Sequence, residues 1–335
     1  MTHAIGNGYR AAREDAAFID RSDRLRLEFT GAQAAATLNG LLTNDVATLK
    51  PGFGHYAAAL TVKGKIIADV RVFARNESYL VDTSAAAAPA LLTMLRKYVN
   101  PRLAKYEDVS ATLRSIGVFG PHAARTVAAS TGVAESDLST MPEFAHIIAT
   151  GTAAVMIARV PDLGVPGFDL LLDADVAVTT LAALAANGAV QIDAATADVL
   201  RIEAGRPLFG ADFDENVLAQ EAAFDRLGAI SFDKGCYAGQ ETVARVHFRG
   251  HVNRTLRGLR GSGSLERGAE LATSDGTVVG GVRSAADSPT FGAIALAYVR
   301  REVADGDAVT IRASTGDVQA TVVALPFAAT LNIHP

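Results

Sequence analysis

The sequence predicts a mixed α+β protein that ends in a small all-β unit. Three observations carry this. Helical and strand periodicities alternate irregularly up to about residue 245, without the strict strand and helix repeat of a doubly wound sheet. From about Val243 onward, short alternating runs are punctuated by Gly261-Ser262-Gly263, Asp275-Gly276, Gly280-Gly281, Asp305-Gly306 and Thr315-Gly316, the rhythm of a barrel or roll. Finally, 49% of the 335 residues are apolar, enough to bury a large core spread over two or three domains.

Residues 8–17 read as a short amphipathic helix, and Arg24 to Phe29 alternates charge with Leu25, Leu27 and Phe29 as a strand does. A helix is expected over 32–42. Two strand-like runs, 55–62 and 66–74, meet at Lys63-Gly64 and predict a hairpin. Residues 89–99 place Leu91, Met94, Leu95 and Tyr98 on one helical face, and Pro121 opens a second helix as an N1 proline. Strands near 153–160 and 168–172 precede helical patterns at 175–186 and 194–204. The character changes between residues 245 and 255, which divides the chain into residues 1–245, made of two interleaved α+β subdomains, and a barrel at 250–335.

A net charge of −5 and a pI near 5.8 exclude a globally basic nucleic-acid coat, so no direct nucleic-acid binding is expected. The first fifteen residues lack an apolar targeting core and no run is long enough to span a bilayer, which points to a cytoplasmic protein without membrane contact. One cysteine makes no internal disulfide and cannot alone supply a structural zinc site. No resident metal is expected. The run from Asp212 to Asn216 starts like a calcium loop but has Val217 where glycine is needed and Ala223 where a glutamate is needed; it reads as a turn leading into a capped helix. Gly6-Asn7-Gly8 and Gly261-Ser262-Gly263 are incomplete dinucleotide fingerprints.

The strongest local signal is Lys234-Gly235-Cys236-Tyr237-Ala238-Gly239-Gln240-Glu241. A cysteine kept for packing sits among apolar side chains, whereas this one lies in a glycine-flanked loop with Lys234 and Arg245 as cations that would favour its thiolate. The glycines permit close backbone approach, and Tyr237, Gln240 and Glu241 would shape the loop. The stretch that follows carries Arg245, Arg249, Arg254, Arg257 and Arg260, with no carboxylate between Glu241 and Glu266. Read as a strand, it sets Arg245, His247 and Arg249 on one face and turns Val246 and Phe248 to the core. That face is either a solvated edge or an anion cradle. Asp69 and Glu203 stand among apolar residues, where an unpaired charge is costly. Each is therefore paired structurally or directed at a ligand.

Together these segments resemble the YgfZ-type folate-binding proteins of the glycine-cleavage T-protein (aminomethyltransferase) superfamily. The likeness rests on LNGLLTNDVATLKPGFGHYAAALTVKGKIIADVRVF (38–73), RIEAGRPLFGADFDE (201–215) and GAISFDKGCYAGQETVARVHFRG (228–250). The KGCYxGQE pattern distinguishes YgfZ-type members from true aminomethyltransferases. The resemblance implies a GcvT-like cloverleaf of three subdomains around a central channel that holds tetrahydrofolate or a one-carbon derivative. It further implies support of the assembly or repair of iron-sulfur enzymes, including tRNA-modifying ones, through iron-sulfur carrier or client proteins. By position, Glu203 matches the glutamate that recognises the pterin, and Asp69 falls where aminomethyltransferases carry two adjacent aspartates, the first being Ala68 here. The cofactor-binding set so implied is Glu203 and Asp69, with Arg245 and Arg249 available to the folate's glutamate tail; the reactive set is Cys236, Lys234, Tyr237, Gln240 and Glu241. Cys236 would act as a transient ligand to a shared iron-sulfur cluster or in thiol exchange. The rival reading is a folate-dependent one-carbon transferase, an aminomethyltransferase or demethylase, in which Asp69 moves a proton.

Overall fold

The computed structural model describes residues 2–151 and 153–327 and is built on three sheets. Residues 25–108 form an antiparallel sheet in the spatial order Gly54–Leu60, Ile66–Ala74, Tyr79–Thr83, Leu25–Thr30, Lys105–Asp108. Strand alternation divides its longest member. Ile66, Ala68, Val70 and Val72 enter the apolar core with Leu27, Phe29 and Leu60, while Asp69 and Arg71 point to the opposite side. The expected hairpin is present, with Ala58 opposite Asp69.

The second sheet has the order Val190–Gln191, Ala17–Asp20, Leu113–Phe119, Gly167–Asp173, Ala154–Arg159, His146–Thr150. Ala17–Asp20 runs parallel to Val190–Gln191 and antiparallel to Leu113–Phe119, so the whole first sheet is an excursion between two neighbouring strands of the second. Phe18, Ile116, Val118, Phe168 and Leu170 fill the core on one of its faces. The third sheet is a closed barrel of six strands between Arg254 and Val323, in which Arg254–Gly261 pairs with both Gly292–Arg300 and Gly316–Val323. Closure leaves no strand edge to pair with another chain. Among the described residues no helix is long and apolar enough to cross a membrane.

Several expectations need correction. Residues Gln240–Arg249 are a helix, not a strand. Gly239, at φ 85°, turns the chain into it, Glu241 lies in its first turn and His247 and Arg249 in its last, the charge order that a helix dipole favours. The five-residue alternation from Arg245 to Arg249 mimics period 2, but Phe248 is 67% exposed and Val243 is the helix's only buried residue. Arg245 and Arg249 still share a face, one helical turn apart. Tyr98 is exposed, and Pro121 lies two residues before the helix Ala123–Thr131, outside its N1 position. Residues 211–228 are turns with no helix after Asp212. Asp212 is instead fully buried, accepting from Arg201 Nη1 at 2.6 Å and the Leu208 amide at 2.9 Å.

Candidate functional site

Two cavities meet where the three parts of the chain converge. One, of 310 Å³, lies between Arg13 of the first helix, Gly164, the end of the helix Ala194–Glu203, and Leu325 and Pro326 beyond the barrel. The other, of 120 Å³, lies between the two open sheets, against Tyr56, Asp69 and Arg71 of the first sheet and Phe144, Asp162 and Leu163 beside the second. Arg206 and Leu227 line both. The two cavities therefore share these two residues as wall.

Below the smaller cavity lies a network of buried ions. Arg71 donates to Asp82 at 2.6 Å, Asp169 at 2.6 Å and Asp162 at 3.1 Å; Arg21 reaches Asp162 at 2.6 Å and Asp169 at 3.1 Å; Arg24 reaches Asp82 at 2.6 Å. Burial would raise the carboxyl pKa values of Asp82 and Asp162, but the adjacent arginines outweigh it and hold both well below the usual range. Asp69 differs. Tyr56 Oη donates to its Oδ2 at 3.0 Å, yet its buried Oδ1 has no side-chain hydrogen-bond partner among the described residues. Burial raises its pKa against the opposing pull of Arg24 and Tyr56. A carboxyl so placed exchanges a proton more readily near neutral pH than an exposed aspartate does.

Glu203 is the opposite case. It is 1% exposed and receives the Tyr9 hydroxyl at 2.8 Å and the Ser288 hydroxyl at 2.5 Å on Oε1, with Arg13 on Oε2. Three of the roughly four acceptor positions of a carboxylate are thus taken by protein. Structural pairing, left open by the sequence, is met here, while Glu203 still borders the larger cavity.

The cysteine loop is elsewhere. Cys236 is exposed and free, and it lines neither cavity. Lys234 is not a cation poised for its thiolate. Its Nζ donates to the carbonyls of Asn39 and Leu42 at 2.7 Å and Asn44 at 2.8 Å, and burial pulls its pKa down to about 8. It ties the loop to the end of the helix Ala34–Leu41. Tyr237 is buried, its hydroxyl pushed up to about 12 by that burial, and Gln240 Oε1 accepts from the Tyr237 amide at 3.3 Å. These two shape the loop from within. Glu241, Arg245 and Arg249 are exposed on the following helix and line neither cavity. Among the described residues no group of three or more His, Cys, Asp or Glu side chains could hold a metal ion.

Residues 1–234 match the GCVT N-terminal domain, and residues 254–328 match the glycine cleavage T-protein C-terminal barrel domain. The chain belongs to the glycine-cleavage T-protein family. Proteins named aminomethyltransferase from Nostoc sp. and Streptomyces avermitilis are 29% and 32% identical to it, over 96% and 95% of this chain and 87% of each relative. A crystal structure of glycine cleavage system aminomethyltransferase T from Bartonella henselae superposes with a TM-score of 0.86 at 22% identity, covering 96% of this chain and 89% of that one. The GcvT-like fold with its C-terminal barrel is therefore established.

Position 68 points into the hydrocarbon core, fully buried, whereas position 69 points into the smaller cavity. Of these two neighbours only Asp69 presents a polar group to the cavity side of the strand. Arg206 is the site residue that sequence reasoning missed. Its side chain forms no hydrogen bond or ion pair among the described residues, although it borders both cavities. A lone arginine after a glycine carries no periodic signal; only its place in RIEAGRPLFG, next to Glu203, could have pointed to it.

Proposed function

We propose that this chain binds a reduced folate in the 310 Å³ cavity and moves a one-carbon unit between it and a donor in the adjoining 120 Å³ cavity. The larger volume lies within the range of small-molecule sites. The observation that carries the reading is Asp69: a buried carboxyl with one oxygen unpartnered among the described residues, beside the residues that line both cavities. The folate, when bound, supplies the nitrogen that takes up or releases the carbon. Asp69 accepts the proton that a nitrogen sheds as its substitution changes, and returns it in the reverse direction. Tyr56 holds Asp69 in place through its hydroxyl. Arg206, which has no ion pair among the described residues, offers a guanidinium between the cavities, and Glu203 retains about one acceptor position for a ring N–H. Leu163, Leu227 and Phe144 keep water away from the proton transfer. The relatives' shared name, aminomethyltransferase, supports this class of chemistry.

The test is anaerobic calorimetry with tetrahydrofolate, followed by an assay for 5-methyl-tetrahydrofolate formed from small methylated amines, or for 5,10-methylene-tetrahydrofolate formed from an aminomethyl donor. Asp69→Asn is expected to bind folate like the wild type and to lower turnover by about 10²- to 10⁴-fold. Absence of folate binding in the wild type would end this reading.

A second reading is favoured by one observation. The sole cysteine is exposed on the KGCYxGQE loop, where it could meet an iron-sulfur carrier or client enzyme. In that case the chain is a folate-binding accessory factor, and Cys236 serves as a transient ligand to a shared iron-sulfur cluster. The same preparation separates the two. Turnover that persists in Cys236→Ala supports the transferase; no turnover in the wild type, with loss of iron-sulfur enzyme activity in Cys236→Ala cells, supports the accessory factor.

A further inference from the structure

We infer that a third cavity, of 360 Å³, is a binding site for a phosphate-type oxyanion held by Arg226, Arg301, His247 and His251. It stands apart from the function proposed above and does not rest on it. The basic stretch after Glu241 reads, from sequence, as either a solvated edge or an anion cradle, and the fold divides it between the two. Arg245 and Arg249 are exposed on the helix Gln240–Arg249 and line no part of this cavity, whereas His247 and His251 do. The cradle is completed from elsewhere: Arg226 comes from the turns before the cysteine loop, and Arg301 lies just beyond the barrel strand Gly292–Arg300.

The charge inventory sets the sign of the ligand. Neither Arg226 nor Arg301 forms an ion pair among the described residues. Nearby, Arg254 already takes up Glu221 at 3.1 Å. One carboxylate lines the cavity, Asp225, and it forms no ion pair among the described residues either. Two guanidiniums thus face one carboxylate, and each imidazole adds at least one N–H donor or acceptor nitrogen. The carbonyls at the helix end oppose an anion, so the attraction comes from Arg226 and Arg301, which belong to other elements. Asp225, His247 and His251 are the residue types of a metal site, but among the described residues no group of three or more such side chains could hold an ion.

Arrangement selects the class further. The lining comes from three segments, residues 220–226, 246–255 and 301, which meet around the cavity. A tetrahedral phosphate presents oxygens to several sides, whereas a carboxylate has two in one plane, and guanidinium forks bind phosphate through paired N–H groups. The walls are braced by the protein itself. The His247 ring stacks on Phe232 at 3.7 Å with an interplanar angle of 17°, Arg226 Nη2 donates to the Leu256 carbonyl at 3.2 Å, and the Arg301 amide donates to the Asn253 carbonyl at 3.1 Å. Gln220, buried, donates Nε2 to the Val243 carbonyl at 2.8 Å and ties the first segment to the helix that carries His247.

Arg226 also lines the 310 Å³ cavity, so a second source of oxyanions is the glutamate tail of a folate seated there. Calorimetry on the full chain at fixed ionic strength separates the two sources, with inorganic phosphate, acetate, and the monoglutamate and pentaglutamate of tetrahydrofolate as probes. The wild type should bind phosphate saturably and about tenfold or more tightly than acetate. Arg301→Gln, which leaves the folate cavity untouched, should weaken phosphate about tenfold or more, and Arg301→Lys should recover part of that loss. Arg301 is exposed, and an unchanged melting temperature shows that its variants fold. Arg245→Gln, which removes a charge outside the cavity, should bind phosphate like the wild type. Phosphate held equally by wild type and Arg301→Gln, or weakened as much by Arg245→Gln, is attraction to surface charge only and overturns the inference. If phosphate does not bind and Arg301→Gln instead cancels a preference for the pentaglutamate, these residues serve the folate's tail and the inference fails. Phosphate binding in the expected pattern without tetrahydrofolate binding removes the folate function and leaves this site standing.

Discussion

Glu203 shows how one residue can look like a ligand contact and act as a joint. Its neighbours come from two distant places: Tyr9 and Arg13 on the first helix, and Ser288 on the barrel strand Val278–Ser288. Tyr9 also shares a hydrogen bond of 2.7 Å with Thr290 just beyond that strand. Removing the carboxylate leaves Arg13 facing a buried gap and two hydroxyls without their acceptor, so Glu203→Ala should lower the unfolding free energy by roughly 3 kcal/mol or more. Urea denaturation measures this, and a loss below about 0.5 kcal/mol, the size of an ordinary surface change, would refute the joint. Asp69 has no such structural network. Asp69→Asn should therefore change chemistry far more than stability.

At the level of elements, the helix Gln240–Arg249 depends on one glycine. Gly239 sits at φ 85°, and a Cβ there would lie 2.6 Å from the Thr61 carbonyl oxygen and 3.0 Å from Leu60 Cβ. Gly239→Ala combines a left-handed backbone with a collision against main chain. It should cost about 2 kcal/mol or more and release the Cys236 loop, seen as a lower urea midpoint and faster thiol alkylation. Most elements were legible in the sequence because their periodicities are local: the hairpin at Lys63-Gly64, the helix Ala88–Tyr98 and the barrel's glycine-marked turns. The helix after Gly239 was not, since five alternating residues satisfy either period. The candidate site was half legible. Glu203 and Asp69 stood out as charges within apolar runs, while the commitment of Lys234 depends on carbonyls 190 to 195 residues away. Arg206 is notable only because the other arginines around it are already paired, a fact that exists in three dimensions alone.

Across the whole molecule, acidity should act through two buried imidazoles, His146 between the first two sheets and His55 on the opposite side of the first sheet, near Asp45 and Lys234. His146 is 6% exposed, with Nδ1 unpartnered, and burial, aided by Arg75, brings its pKa down to about 4; burial does the same to His55. In the unfolded chain both titrate near 6.5. Between about pH 6.5 and 4 the unfolded state therefore binds more protons, so the stability present above pH 6.5 is lost as pH falls, by at most about 1.4 kcal/mol per unit for each group. Asp82 and Asp162 extend the loss to lower pH, and Asp69, whose pKa is raised, partly offsets it. Melting temperatures from pH 7 to 4.5 should fall, and His146→Phe should flatten the slope; an unchanged slope would mean that the ring is charged in the fold.

The interleaving of the two open sheets also sets an order of events during synthesis. Ala17–Asp20 leaves the ribosome early, yet its partners Leu113–Phe119 and Val190–Gln191 follow about 100 and 170 residues later. The excursion from Leu25 to Asp108 has all its strands to hand just before Leu113 emerges and well before Val190 does. A nascent chain thus completes its second-emerging sheet first and holds its opening strand unpaired in the meantime. An amino-terminal fusion or tether that restrains that strand would burden biogenesis rather than the finished protein.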